Sequence, residues 1–176
     1  MNIASYESII RRVSDQLVVP AAIIRAIIEH ESGWNPWTTR FEPGVYASLH
    51  MASPPAGVDA NTERASQAMN WGLMQIGGRE ARARGFDGPF LSVLCTPAEG
   101  IIWGTRHLAY LMRRYSNDIE AAIAAYGMGS AVLRDDLTWQ NQSYVDAIAR
   151  NVRALGELPF WEPRPPRLDI RSGDAG

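Results

Sequence analysis

The chain has 176 residues, of which 46% are hydrophobic and 20% charged, and its formal net charge is −2. This composition is typical of one folded globular domain, and the small net charge gives no reason to expect nucleic-acid binding. Cys95 is the only cysteine, which excludes an internal disulfide and a cysteine zinc cluster.

Helical spacing of apolar residues predicts a mainly α protein. Helices are predicted at 6–17, between Pro20 and Gly33, and then at 97–115, 118–125 and 143–155. Proline and glycine interrupt the pattern between 35 and 70, which predicts a long irregular segment with room for a small hairpin within 43–76. We expect one domain over 1–158 and an extended or disordered tail over 159–176.

The second predicted helix carries the most informative residue, Glu31. It shares one helical face with three apolar residues: Ile24, Ile27 and Ile28. Burial raises the pKa of a carboxyl group, as a general acid requires, so this register favours catalysis. The alternative is that Glu31 lies at the exposed end of the face and acts as a cap. Glu29 lies about 200° around the helix from Glu31 and can pair with Arg25.

Four segments in chain order carry further motifs. They read Glu-Ser-Gly-Trp-Asn-Pro at 31–36, Ser66 with Gly-Leu-Met-Gln-Ile at 72–76, Ala-Ala-Tyr-Gly at 124–127 and Gln-Ser-Tyr-Val at 142–145. Together they resemble the motifs of the lysozyme-like lytic transglycosylases of the soluble-lytic-transglycosylase type. The resemblance covers about residues 5–155 and implies a lysozyme-like domain that cleaves peptidoglycan without a cofactor or metal.

The resemblance also implies roles for individual residues. Glu31 would protonate the bond between N-acetylmuramic acid and N-acetylglucosamine, and would then take a proton from the muramyl 6-hydroxyl to give a 1,6-anhydro product. Tyr126 would lie beside this acid and help to set its protonation. Substrate-binding roles are expected for the remaining motif residues and one flanking tryptophan: Ser32, Ser66, Trp71, Gly72, Met74, Gln75 and Tyr144. For Ser32 itself, orienting Glu31 and capping the helix end are two equal alternatives.

Three departures from the family pattern bear on mechanism. Met69 and Asn70 stand where the family usually has Gly-Ala, and Gly127 replaces the asparagine after the motif tyrosine. The insertion after Pro36 is long and contains Arg-Phe-Glu-Pro at 40–43, which resembles an element of phage-type relatives. Glu42 is therefore the best candidate for a second catalytic acid, against a structural pairing with Arg40.

Two other functions stay open at this point. A hydrolytic muramidase would use Glu31 together with Glu42 or Asp59, because most glycosidases need two carboxyl groups. An inactive glycan-binding or structural component of a virion or envelope machine would explain the altered motif positions.

The expected setting follows from the start of the chain and from the family. We expect neither a signal peptide nor a membrane span, hence a protein made in the cytoplasm that acts on the cell wall and is phage-encoded. A monomer that binds glycan strands, and neither nucleic acid nor membrane, is expected.

Overall fold

Helices form most of the chain that the computed structural model describes, residues 3–50 and 54–156. The described helices are α1 Ile3–Leu17, α2 Ala21–Ser32, α3 Pro43–Ser48, α4 Ala60–Gln67, α5 Gly78–Ala83, α6 Pro97–Arg114, α7 Ile119–Met128 and α8 Gln142–Ala154. A 3₁₀ helix, Leu91–Cys95, precedes α6. The mainly α prediction is confirmed, and the tail predicted at 159–176 lies outside the described residues.

The chain divides into two units, residues 1–110 and 111–176. The first contains α1 to α5, most of α6 and a sheet of three short strands, β1 Thr39–Phe41, β2 Met69–Trp71 and β3 Ile76–Gly77. The strands are antiparallel in the order β1-β2-β3, with Arg40 opposite Asn70. The β2–β3 pair is the small hairpin that the sequence predicts within 43–76. It ends one residue later than predicted, at Gly77. The segment 35–70, predicted to be irregular, contains strand β1 and helices α3 and α4. It is therefore more regular than its sequence pattern suggests.

Local signals define α2 as the sequence predicts. Pro20 directly precedes the helix, and Gly33 ends it with φ of +54° while its N–H donates to the Glu29 carbonyl at 3.2 Å. Arg25 on this helix pairs with Glu7 of α1, rather than with Glu29 as the spacing allowed. The hydrogen bond from Arg25 is the main cause that lowers the Glu7 pKa to about 2. This ion pair holds α1 against α2.

A buried ion pair joins α4 to α5. Glu63 is 1% exposed, and its carboxylate accepts hydrogen bonds from Arg82 at 2.7 and 3.0 Å and from Gln67 at 2.9 Å. Burial alone would raise the Glu63 pKa, but these hydrogen bonds outweigh it and the pKa lies below its usual 4.5. Arg82 therefore stabilises the scaffold by joining α5 to α4.

The second unit is built on α7 and α8. Asp118 caps α7 by accepting a hydrogen bond from the Ala121 N–H at 3.0 Å. Asn141, directly before α8, donates its side-chain amide to the Ala124 carbonyl at 2.9 Å, which fixes the start of α8 on the alanine-rich part of α7. In the part of the chain that is described, no helix is long and apolar enough to cross a membrane.

Candidate active site

Glu31 lies in the last turn of α2, where the apolar face of the helix reaches its end. Ile24, Ile27 and Ile28 on that face are fully buried, whereas Glu31 is half-buried. The predicted register with the core is therefore confirmed, and the carboxyl group lies at the border between core and solvent. A general acid needs this position, because it must be both partly desolvated and reachable by substrate.

Ser32 joins this helix end to the Gly-Leu-Met-Gln segment. Its hydroxyl lies 2.8 Å from the Leu73 carbonyl oxygen and 3.0 Å from the Ile28 carbonyl oxygen, and both atoms are acceptors. The hydroxyl proton is thus used within the protein. These two bonds favour the role of orienting Glu31, one of the alternatives that the sequence offered for Ser32.

A tight turn between β2 and β3 carries residues 72–75. Gly72 has φ of +69°, and a Cβ atom there would lie 2.2 Å from the Leu94 carbonyl oxygen, so only glycine fits. Gln75 also has positive φ, +48°. Its side-chain amide donates to the carbonyl oxygens of Thr38, at 2.7 Å, and of Gly72, at 3.0 Å. Both amide protons of Gln75 are thus used within the protein, and its carbonyl oxygen Oε1 makes no hydrogen bond to any described residue.

Two residues predicted to bind substrate are part of the core instead. Met74 is 0% exposed, its sulfur lies 3.6 Å from the Thr105 hydroxyl, and it fills the space above Gly104. Trp71 is buried, and its indole N–H donates to the Ser66 carbonyl at 2.9 Å. We correct both assignments, because neither side chain presents a surface to which a sugar could bind.

Ser66, another residue predicted to bind substrate, lies on α4 of the same unit. It lies in the last turn of α4, half-buried, and its carbonyl fixes the Trp71 indole. Its own hydroxyl forms no hydrogen bond with the described residues, so it is available to a ligand.

Glu42 directly follows β1, where it closes a small polar cluster. Its Oε1 accepts hydrogen bonds from the Arg40 guanidinium at 2.7 Å and from the Asn70 amide at 3.1 Å. Because Arg40 and Asn70 are partners in the strand register, the sheet itself brings them to Glu42. The structural pairing with Arg40 that the sequence offered as an alternative is therefore present.

Asp59, the other candidate for a second acid, caps α4. One of its oxygens accepts from the N–H groups of Asn61 and Thr62 at 3.0 Å, and the other accepts from the Thr62 hydroxyl. The Thr62 hydroxyl is the main cause that lowers the Asp59 pKa below its usual 3.8. These contacts give Asp59 a capping role.

The aromatic residues near the first motif differ in exposure. Trp34 stacks on Tyr6 with ring centroids 6.4 Å apart and donates its indole N–H to Glu29, while Tyr46 lies between Phe41 and the Arg64 guanidinium. Trp37 is 70% exposed. Only part of the aromatic set is therefore open to solvent.

Tyr126 and Tyr144 belong to the second unit. Tyr126 lies near the end of α7 and Tyr144 in the first turn of α8, and both are half-buried. Gly127 packs against the Tyr144 ring so closely that a Cβ atom at 127 would lie 2.8 Å from two ring carbons. This contact explains why glycine occupies a position at which the family usually has asparagine.

The domain is mainly helical and lysozyme-like. It combines Glu31 at the end of α2, the turn that Ser32 binds and the small three-stranded sheet. The family model described as the transglycosylase SLT domain matches residues 8–148, which run through both units. The chain therefore belongs to the SLT transglycosylase family, whose members act on peptidoglycan as lytic transglycosylases. No solved structure is significantly similar to the chain.

Sequence reasoning missed two residues that organise this region. The Thr38 carbonyl accepts from the Gly72 N–H at 2.9 Å as well as from Gln75, and nothing in the sequence pattern marks a backbone acceptor. Asn70 binds Glu42, and its unusual place in the family motif was a signal that could have revealed the pair. Within the described ranges, no cluster of His, Cys, Asp and Glu is suited to a metal ion.

Proposed function

We propose that the protein is a peptidoglycan lytic transglycosylase in which Glu31 is the catalytic acid and then the base. The observation that carries this proposal is the hydrogen bond from Ser32 to the Leu73 carbonyl, because it joins the Glu31 motif to the Gly-Leu-Met-Gln motif. The half-buried position of Glu31 at the end of an apolar face supports the same role.

The reaction would need no second carboxyl group. Glu31 donates its proton to the glycosidic oxygen as the bond from this oxygen to C1 of N-acetylmuramic acid breaks, which leaves an oxocarbenium-like centre. The Glu31 carboxylate then removes the proton of the muramyl 6-hydroxyl, and O6 bonds to C1. The acid is regenerated, no water is consumed, and the product ends in a 1,6-anhydro sugar.

Substrate binding in this proposal uses two polar groups that make no hydrogen bond to the described residues, although the Gln75 side chain as a whole is only 7% exposed. Gln75 Oε1 would accept a hydrogen bond from a glycan hydroxyl or acetamide N–H, and the Ser66 hydroxyl would offer a second polar contact. Tyr126 and Tyr144 are carried over from the family motifs alone. We propose that residues 1–158 form the catalytic domain of a monomeric, phage-encoded enzyme, consistent with the Arg-Phe-Glu-Pro element at 40–43.

The test is clearance of purified sacculi by the full chain and by Glu31→Gln, which keeps the size of the side chain and removes the acid. Loss of general acid catalysis reduces rates by about 10²–10⁴-fold. Because Glu29 is exposed two residues earlier on the same helix, Glu29→Gln is the matched control. Clearance by Glu31→Gln at the parental rate would refute the proposal.

A hydrolytic muramidase is the second candidate, and one observation favours it. Arg40 and Asn70 fix the position of the Glu42 carboxyl group at the end of β1, and an inverting or retaining glycosidase needs a second carboxyl group in a fixed position. The masses of the products separate the two enzymes, because anhydro products are lighter by one water.

A further inference from the structure

Trp37 is an exposed aromatic residue that directly follows the first motif, residues 31–36. Its side chain is 70% exposed, and none of the described residues stacks on its ring. Single exposed apolar side chains are common on proteins, so exposure alone implies no function. Two further features set Trp37 apart: how its backbone is held, and the polar side chain that binds the residue after it.

The backbone on both sides of Trp37 is fixed. Its N–H donates to the Asn35 side chain at 3.1 Å, and the next residue, Thr38, accepts hydrogen bonds from the Gly72 N–H and the Gln75 amide. The segment is therefore anchored to the helix end on one side and to the tight turn on the other. An exposed indole on a fixed backbone loses little conformational freedom when it binds a flat ligand.

The Gln75 side chain is bound to the backbone next to Trp37 and brings a polar group to this segment. Gln75 Oε1 makes no hydrogen bond to the described residues, and the Gln75 amide is bound to the carbonyl of the residue that follows Trp37. A pyranose ring has an apolar face of C–H groups and a rim of hydroxyl and acetamide donors. Such a ring suits an aromatic surface beside a hydrogen-bond acceptor.

The other aromatic residues near this motif are already occupied. Trp34 stacks on Tyr6, and Tyr46 is covered by Phe41 and the Arg64 guanidinium. Trp71 is buried with its N–H on the Ser66 carbonyl. Of the five aromatic residues that flank the first two motifs, Trp37 is the most open to a ligand.

We propose that Trp37 is the stacking surface of a sugar subsite that binds an N-acetylhexosamine unit of the glycan strand. The inference rests on the proposed function, because it assigns a residue to the same substrate. It adds a residue outside the family motifs, and it gives the chain a means of holding the strand that does not depend on the peptide stems.

Binding is measured in the full chain carrying Glu31→Gln, so that no cleavage occurs. Isothermal titration with hexa-N-acetylglucosamine compares this parent with versions that also carry Trp37→Ala, Trp37→Tyr or Phe90→Ala. Phe90 is the matched control, because it is a 55% exposed aromatic residue that precedes the 3₁₀ helix. Thermal unfolding of each variant checks the fold, which substitution of such exposed side chains leaves intact.

We expect Trp37→Ala to raise the Kd about tenfold or more, as loss of a central aromatic contact does, and Trp37→Tyr to raise it by less than about threefold. Phe90→Ala should leave it unchanged. An unchanged Kd for Trp37→Ala, or a parent that binds neither the hexamer nor sacculi, would overturn the inference. Binding of Trp37 to lipid vesicles in place of the sugar would overturn it as well.

The proposed function is judged separately, by sacculus clearance with Glu31 intact. If the wild-type chain clears sacculi but Trp37→Ala leaves the Kd for the hexamer unchanged, only the inference about the Trp37 subsite is refuted. Trp37-dependent sugar binding without clearance would refute only the proposed activity.

Discussion

The hydroxyl of Ser32 lies 2.8 Å from the carbonyl oxygen of Leu73, 41 residues further along the chain. This contact fixes the end of the helix that carries Glu31 against the turn that carries Gln75. The proposed site thus depends on a hydrogen bond from the residue next to Glu31, because small shifts in this region would displace groups that the proposed reaction needs to be aligned.

Ser32→Ala tests this link. The substitution removes the donor and leaves the carbonyl of the buried Leu73 without its bond, which costs about 1–2 kcal/mol in the free energy of unfolding. We expect a lower rate of sacculus clearance as well. Ser48→Ala is the control, because Ser48 makes an exposed bond of 2.9 Å to the Val45 carbonyl within α3. Equal effects of the two substitutions on stability and rate would contradict the positioning role.

The close contact between Gly127 and Tyr144 predicts the result of restoring the family residue. Gly127→Asn places a Cβ atom 2.8 Å from the ring, and such overpacking costs about 1–3 kcal/mol in the free energy of unfolding. Adding Tyr144→Ala should recover part of this loss in a double-mutant cycle. Gly44→Asn, at a position with open space around it, should change stability much less. Additive effects of the first two substitutions would refute the steric explanation.

His107 predicts a pH dependence of stability. Burial lowers its pKa from 6.5 to about 4, so the imidazole is neutral in the folded protein while the unfolded chain takes up a proton below 6.5. Stability therefore falls as the pH drops from 6.5 towards 4, by about 2–3 kcal/mol between about pH 7.5 and 4.5. His107→Gln should flatten this dependence in urea unfolding, whereas the exposed His50→Gln should not. Parallel pH curves for wild type and His107→Gln would show that the prediction is wrong.

Much of the helical fold could be predicted, because its signals are local. Pro20 and Gly33 set the ends of α2, and the spacing of its isoleucines placed Glu31 correctly on the core side. Burial within 72–75 could not be predicted in this way. Gly72 and Gln75 have left-handed backbone conformations, which interrupt the regular alternation of buried and exposed side chains. Met74 therefore enters the core, while the Gln75 side chain binds the Thr38 backbone.

The environment of Glu42 was also beyond the sequence pattern. Its partner Asn70 lies 28 residues away and reaches it only through the pairing of β1 with β2. A register of three residues in each strand is too short to be recognised from alternation of polar and apolar residues.

Glu42→Gln separates the two candidate mechanisms by rate. If Glu31 works alone, the variant should clear sacculi within about threefold of the wild-type rate, because the glutamine carbonyl still accepts the Arg40 hydrogen bond. A loss comparable to that of Glu31→Gln would instead make Glu42 an essential second carboxylate. Arg40→Gln is the control for the loss of the ion pair itself. If the pairing is structural, Arg40→Gln and Glu42→Gln should change the rate of sacculus clearance to the same extent.

The most direct test of the account is the mass of the muropeptides that the full chain releases from purified sacculi. Glu31 acting as acid and then base predicts 1,6-anhydro-muramyl ends, lighter by one water than the products of hydrolysis, and no such fragments from Glu31→Gln. Fragments with hydrolysed reducing ends, or release of anhydro products by Glu31→Gln, would contradict it.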